Sequence, residues 1–133
     1  MANLRLEIVS LDGEIFSGEA KSILLTTTEG EIQLLRGHAD LAAPLATGRA
    51  KLVTTAGEEK LAAVSGGFVI AENGGVRVVT TTFEYADDID LERARAAKEV
   101  AEQRLKSAKT DTEIELAKAK LARAISRINV ATK

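Results

Sequence analysis

The sequence predicts an α+β fold: an N-terminal antiparallel β-sandwich over residues 1–86, followed by a C-terminal antiparallel two-helix hairpin over residues 87–133. Three observations carry that expectation. Up to about Thr82, short apolar runs alternate with polar residues and are cut at close intervals by turns rich in Gly and Asp. Beyond Tyr85-Ala86-Asp87-Asp88 there is no Gly and no Pro, and Ala, Glu, Lys, Arg and Leu dominate, as in exposed helices. The 133 residues, 45% of them apolar, suffice for one core with an appendage rather than two full domains.

The elements follow in order. Leu4, Leu6 and Ile8 alternate with Arg5 and Glu7, the period of a strand with one buried face. Asp12-Gly13 supplies a tight turn before Glu14-Ile15-Phe16. Further strands are expected at 20–28, 31–34, 49–54, 60–64, 68–72 and 76–82. Turns at Glu29-Gly30, Ala56-Gly57, Gly66-Gly67 and Asn73-Gly74-Gly75 separate them. Many short strands with close turns build a sandwich or a barrel.

In the helical part Asp88 is the expected cap of the first helix, with Asp90 and Glu92 favouring its positive end. Thr110-Asp111-Thr112-Glu113 has capping-box spacing, so a second helix should start there with Thr110 as N-cap and Glu113 reaching back. Ala94, Ala97, Ala101, Leu105 and Ala108 recur at helical spacing, as do Ile114, Ala117, Leu121, Ala124, Ile128 and Ala131. These stripes are expected to face each other. A methyl group contributes roughly 0.8 kcal/mol on burial, against roughly 1.5–3 kcal/mol for a whole Leu. An Ala-lined seam is therefore weak, and the hairpin is expected to be able to leave its resting place at a cost of a few kcal/mol.

Composition excludes several kinds of chemistry. Cysteine is absent, which removes disulfides, thiolate metal sites and a cysteine nucleophile, and fits a reducing compartment. His38 is the only histidine, too few for a multi-histidine metal site. No apolar run approaches the roughly 20 residues that cross a bilayer, and no secretory signal is expected from the opening residues. Asp87, Asp88 and Asp90 cluster where a helix begins, a place acids occupy as caps, so no catalytic residue is assigned.

Charge is uneven along the chain. Residues 1–86 carry 7 basic and 11 acidic side chains, and residues 87–133 carry 11 and 9, which add to the 18 and 20 of the whole. After Glu115 every charged residue is positive: Lys118, Lys120, Arg123, Arg127 and Lys133. The end of the chain is a basic object on an acidic body. Nucleic acid is not expected as a partner, because the net charge is −2 and the aromatic residues Phe16, Phe68, Phe83 and Tyr85 make no stacking platform.

Specific motifs then add a family. The segment from Gly30 to Leu45, Gly-Glu-Ile-Gln-Leu-Leu-Arg-Gly-His-Ala-Asp-Leu-Ala-Ala-Pro-Leu, resembles the glycine-histidine loop of epsilon subunits of rotary F-type ATP synthases. Ala63-Val64-Ser65-Gly66-Gly67-Phe68 is similar to their Ser-Gly-Gly-Phe turn, Leu11-Asp12-Gly13 to their first hairpin, and Ile89-Asp90-Leu91-Glu92-Arg93-Ala94 to the start of their C-terminal domain. These motifs run through the whole chain in the family's order. Gln33, Arg36 and Asp40 depart from it, standing where the family usually has Gly, Pro and Pro.

The resemblance implies a non-catalytic rotor subunit of the central stalk. Its sandwich would bind the gamma subunit and rest on the c-subunit ring, with Glu31 and His38 as candidate rotor-interface residues, so that membrane contact comes only through the complex. Its hairpin would fold down or extend into the alpha/beta catalytic head and impede ATP hydrolysis there, with Lys118, Lys120, Arg123 and Arg127 as a basic regulatory stripe. In some relatives the folded hairpin binds regulatory ATP. The matching positions are Glu84, Asp90, Arg93, Arg123 and Arg127, while the family's further arginine, seven residues beyond Arg93, is Val100. A second reading stays open, in which Asp90 stabilises a helix start and the arginines form exposed ion pairs. The implied location is peripheral, on the cytoplasmic face of a bacterial plasma membrane, with the stromal face of a chloroplast thylakoid as the alternative. Sequence physics alone also allows a generic sandwich-plus-hairpin adaptor.

Overall fold

The computed structural model describes residues 3–133. In chain order the elements are β1 (Leu4–Ser10), β2 (Gly13–Thr27), β3 (Gly30–Leu35), β4 (Leu41–Pro44), β5 (Gly48–Thr54), β6 (Glu59–Ser65), β7 (Phe68–Glu72), β8 (Gly75–Thr80), β9 (Thr82–Tyr85), a 3-10 turn (Ala86–Asp88), α1 (Leu91–Ser107) and α2 (Asp111–Ala131). Among the described residues the strands form one continuous sheet, in the order β4-β7-β8-β1-β2-β5-β6-β9, with β3 also paired to β2. The sheet folds on itself as a sandwich. β2 belongs to both layers: residues 13–20 pair with β1, residues 22–27 with β3, and residues 20–24 with β5. Pairing is antiparallel throughout, except that β1 and β8 run parallel, with Leu6 opposite Val76 and Ile8 opposite Val78.

The core lies between the layers. Leu4, Leu6, Ile8, Ile23, Leu25, Leu52, Val69 and Val78 are the largest fully buried side chains. Alternation puts them there. On β1 the even positions Leu4, Leu6, Ile8 and Ser10 are buried while Arg5 is exposed, so one pleated face is covered.

Four local features differ from expectation. The segments expected at 14–16 and 20–28 are one strand, because Ser17, Gly18 and Glu19 keep pairing with Glu7, Leu6 and Arg5. β4 and β9 were not separately expected. β4 carries little signal, since Ala42 and Ala43 lack β-branched side chains and Pro44 lacks an N–H, which confines such a segment to a sheet edge. The expected strand 76–82 breaks at Thr81, after which β9 pairs with β6.

The helix starts also differ in detail. Asp88 is not the cap of α1. It is taken up in the 3-10 turn, Ile89 is extended, and Asp90 caps instead, its Oδ1 accepting from the Arg93 N–H at 3.1 Å. At α2, Thr110 Oγ1 accepts from the Glu113 N–H at 3.1 Å, while Glu113 Oε2 accepts from the Lys109 N–H at 3.1 Å, one residue before the cap. The hairpin seam is small, as its sequence required: Ala94 and Ala101 of α1 and Ala117 and Ala124 of α2 are buried in it. Ala97 is the exception. It is exposed, because it faces an open groove between the helices. The hairpin is folded down, α2 resting on β6 and β5 with α1 packed on α2. Val130, near the end of α2, is 3% exposed.

Candidate functional site: a cationic groove on the folded hairpin

Polar contact between the sandwich and the hairpin centres on Glu84. This residue is on β9, whose pairing with β6 presents it to α2. Arg127 Nε donates to Glu84 Oε1 at 2.5 Å, both side chains being about two-thirds buried. A cavity of about 80 Å³ adjoins the pair, and Arg123, Ser126, Ser65 and Thr82 also reach it. Ser126 Oγ is buried there without a protein partner among the described residues.

Beside this contact, a groove of about 460 Å³ runs between the two helices. Arg93 and Arg104 project into it from α1, and Lys120, Arg123 and Arg127 from α2. Its apolar floor is made of Ala96, Ala97, Val100, Ala101 and Ala124. Helical spacing explains the convergence, because Lys120, Arg123 and Arg127 are three and four positions apart and so share one side of α2. Among the described residues no carboxylate lines the groove. Five cations over a small-residue floor make a site for an anion, with Arg forks suited to phosphate oxygens.

The expected site residues divide accordingly. Arg93, Arg123 and Arg127 meet in the groove, and Glu84 joins Arg123 and Arg127 in the adjoining cavity. Asp90 is close along the chain but is occupied as the helix cap. The expected basic stripe needs a correction. Lys118 does not belong with Lys120, Arg123 and Arg127, since two residues turn the helix by about 200° and place it on the other side. Arg104 was missed. Its signal is in the sequence: positions 100, 101, 107 and 108 hold no carboxylate to pair with it.

The two candidate rotor-interface residues are apart from the groove. Glu31 on β3 is gripped by Arg49 of β5, whose Nε and Nη2 donate to its two carboxylate oxygens at 2.6 and 3.0 Å. The Arg49 hydrogen bonds, aided by the charges of Arg49, Lys133 and Lys51, hold the Glu31 carboxyl below the usual glutamate range. Arg49 is correspondingly raised by Glu31. His38 follows β3 in the turn before β4; its Nδ1 lies 3.2 Å from the Ala39 carbonyl and its Nε2 is buried without a partner among the described residues. Among the described residues no cluster of His, Cys, Asp and Glu is placed to hold a metal, and no helix is long and apolar enough to cross a membrane.

This architecture matches known proteins from end to end. Residues 3–86 match the profile described as "ATP synthase, Delta/Epsilon chain, beta-sandwich domain", and residues 87–132 match "ATP synthase, Delta/Epsilon chain, long alpha-helix domain". The chain belongs to the ATP synthase delta/epsilon chain family. Among curated relatives, the ATP synthase epsilon chain of Shouchella clausii is 40% identical over 131 residues, 98% of this chain and 96% of that one. The ATP synthase epsilon chain of Caldanaerobacter subterraneus is 35% identical over 128 residues, 96% of this chain and 93% of that one. A chain in the cryo-EM structure of the Euglena gracilis mitochondrial ATP synthase, OSCP/F1/c-ring, has the same fold, with a TM-score of 0.87 at 24% identity, covering 100% of this chain and 83% of that one.

Proposed function

We infer that this chain is the epsilon-type subunit of a rotary F-type ATP synthase, a non-catalytic part of the central stalk that helps couple ion-driven rotation to ATP synthesis. Similarity to ATP synthase epsilon chains across nearly the whole length, covering sandwich and hairpin alike, is the observation that carries this reading. In that role the sandwich seats on the gamma subunit and the c-subunit ring, with Glu31 and His38 at or near the rotor contact. The complex is peripheral to the membrane on this side, and the bacterial relatives favour the cytoplasmic face of a bacterial plasma membrane.

The hairpin is the regulatory part. Folded down, it is held on the sandwich by the packing of α2 on β6 and β5, by Val130 and, among the described residues, by one ion pair, Glu84–Arg127. Released and extended toward the alpha/beta head, it impedes ATP hydrolysis, and Lys120, Arg123 and Arg127 then present positive charge to that partner. Charge of this kind orients docking more than it strengthens it. Arg93, Arg123 and Arg127, with Glu84 and Asp90 beside them, form a clamp for the phosphates of regulatory ATP, which would favour the folded state by binding it alone. Deleting residues from Asp88 onward tests the regulatory reading. ATP hydrolysis by the whole complex should rise, and unchanged hydrolysis would show that the hairpin is not an inhibitor.

A further inference from the structure

The groove carries more positive charge than that clamp uses. Arg104 and Lys120 line it toward the turn between the helices, whereas Arg93 and Arg127 line it toward the sandwich. Arg93 and Arg104 are eleven positions apart on α1, about 16 Å along a helix axis. Between them the floor is apolar, mostly alanine, with Val100 half-exposed.

The charge pattern sets these residues apart. Outside the groove, the cations from Arg95 to Lys118 have a carboxylate three or four positions away: Glu99 for Arg95, Glu102 for Lys98 and Lys106, Glu113 for Lys109 and Glu115 for Lys118. Arg104, Lys120 and Arg123 have none at that spacing. Among the described residues they also make no ion pair across the fold, the salt bridges being Glu31–Arg49, Lys51–Glu59, Glu7–Arg77 and Glu84–Arg127. Lys120, Arg123 and Arg127 stand one turn apart in succession, where like charges repel and destabilise a helix. An anion lying along the groove relieves that repulsion at every cation it passes. A single phosphate would meet only one end, whereas a chain of linked phosphates extends from one end toward the other, where the long Arg and Lys side chains can reach it.

We propose that the groove is a two-ended site for a phosphate chain, whose second end is Arg104 with Lys120. This pair offsets the missing cation at Val100 and sets how far along the hairpin the chain reaches. The proposal rests on reading Arg93, Arg123 and Arg127 as phosphate-binding and adds the residues that select for chain length. Linked phosphates occur both in nucleoside triphosphates and in inorganic polyphosphate, and the groove recognises the chemistry the two share.

The test titrates ATP and inorganic tripolyphosphate into the full chain, with binding followed by calorimetry and by thermal shift. Three double variants are compared: R104Q/K120Q, R93Q/R123Q and, as a control that removes the same charge from other positions on the hairpin, K106Q/K118Q. R104Q/K120Q should weaken binding by about tenfold or more, as expected for losing charged hydrogen bonds, while the control changes it by less than about twofold. With that pattern, tripolyphosphate binding as tightly as ATP identifies the bare chain as sufficient, and tighter ATP binding identifies a nucleotide. If R93Q/R123Q weakens binding and R104Q/K120Q does not, the second end is wrong and the clamp stands. Equal weakening by the control pair, or no binding of either probe at millimolar concentration, overturns the proposal.

Discussion

At the scale of single residues, Gly67 is the most tightly enclosed of the sandwich glycines. Its φ is +101°, and a Cβ built on it would sit 2.0 Å from the Val79 carbonyl oxygen and 2.6 Å from Thr80 Cα. Both contacts are backbone, so no side chain can move aside. Gly67→Ala should destabilise the protein by about 2 kcal/mol or more, read as a fall in the thermal midpoint of the sandwich by circular dichroism. Glu31 offers a subtler measurement. Because its folded carboxyl titrates below the unfolded one, the Arg49 pair contributes stability above the unfolded pKa, and that contribution disappears as pH falls through the folded pKa. Glu31→Gln should therefore cost less than about 1 kcal/mol at neutral pH, since the pair is over a third exposed. The variant and the parent should converge in stability only once pH has fallen below the usual glutamate range and through the lowered folded pKa, as followed by urea denaturation across the acid range.

Elements tell how much was legible. The alternation of Leu4, Leu6 and Ile8 announced β1, and Thr110 with Glu113 announced α2, because each element is specified by neighbours along the chain. β4 was silent, because Pro44 and two alanines form a strand only when β7 is already there to pair with. Asp88 and Asp90 both read as caps, and the choice between them turned on the 3-10 turn that the sandwich exit imposes. The groove was half legible. Arg123 and Arg127 share a helix face by spacing alone, but their meeting with Arg93 and Arg104 depends on how the two helices lie together, and Glu31's partner Arg49 sits 18 positions away across an intervening strand. The seam itself can be probed at this scale. Ala124 is 2% exposed between the helices, and Ala124→Leu should overpack it by about 1–3 kcal/mol. The strain should appear as faster amide hydrogen exchange in α1 and α2, with the strands of the sandwich unchanged.

The whole molecule is two bodies joined by one contact face, in which α2 touches the sandwich and α1 rides upon α2. The Glu84–Arg127 pair is the charged link across that face. Glu84→Gln should shift the balance away from the folded arrangement by about 1 kcal/mol, a roughly fivefold change in population. A pair of fluorophores, one on β5 and one at the helical turn, would report it as lower energy transfer in the variant. An unchanged signal would mean that the packing of α2 on β6 and β5, with Val130, holds the hairpin without help.

The shared strand β2 carries a mechanical consequence. Its fifteen residues are bonded to β1 in one layer and to β3 and β5 in the other, with an irregularity in the β5 pairing between Ala20 and Ser22, so one strand ties the two layers together at that crossing. A twisting load entering one layer passes to the other as shear on many hydrogen bonds at once, not as a peel that opens them one by one. Stiffness is thus wired into the adaptor, and the compliance of the protein is left to its arm.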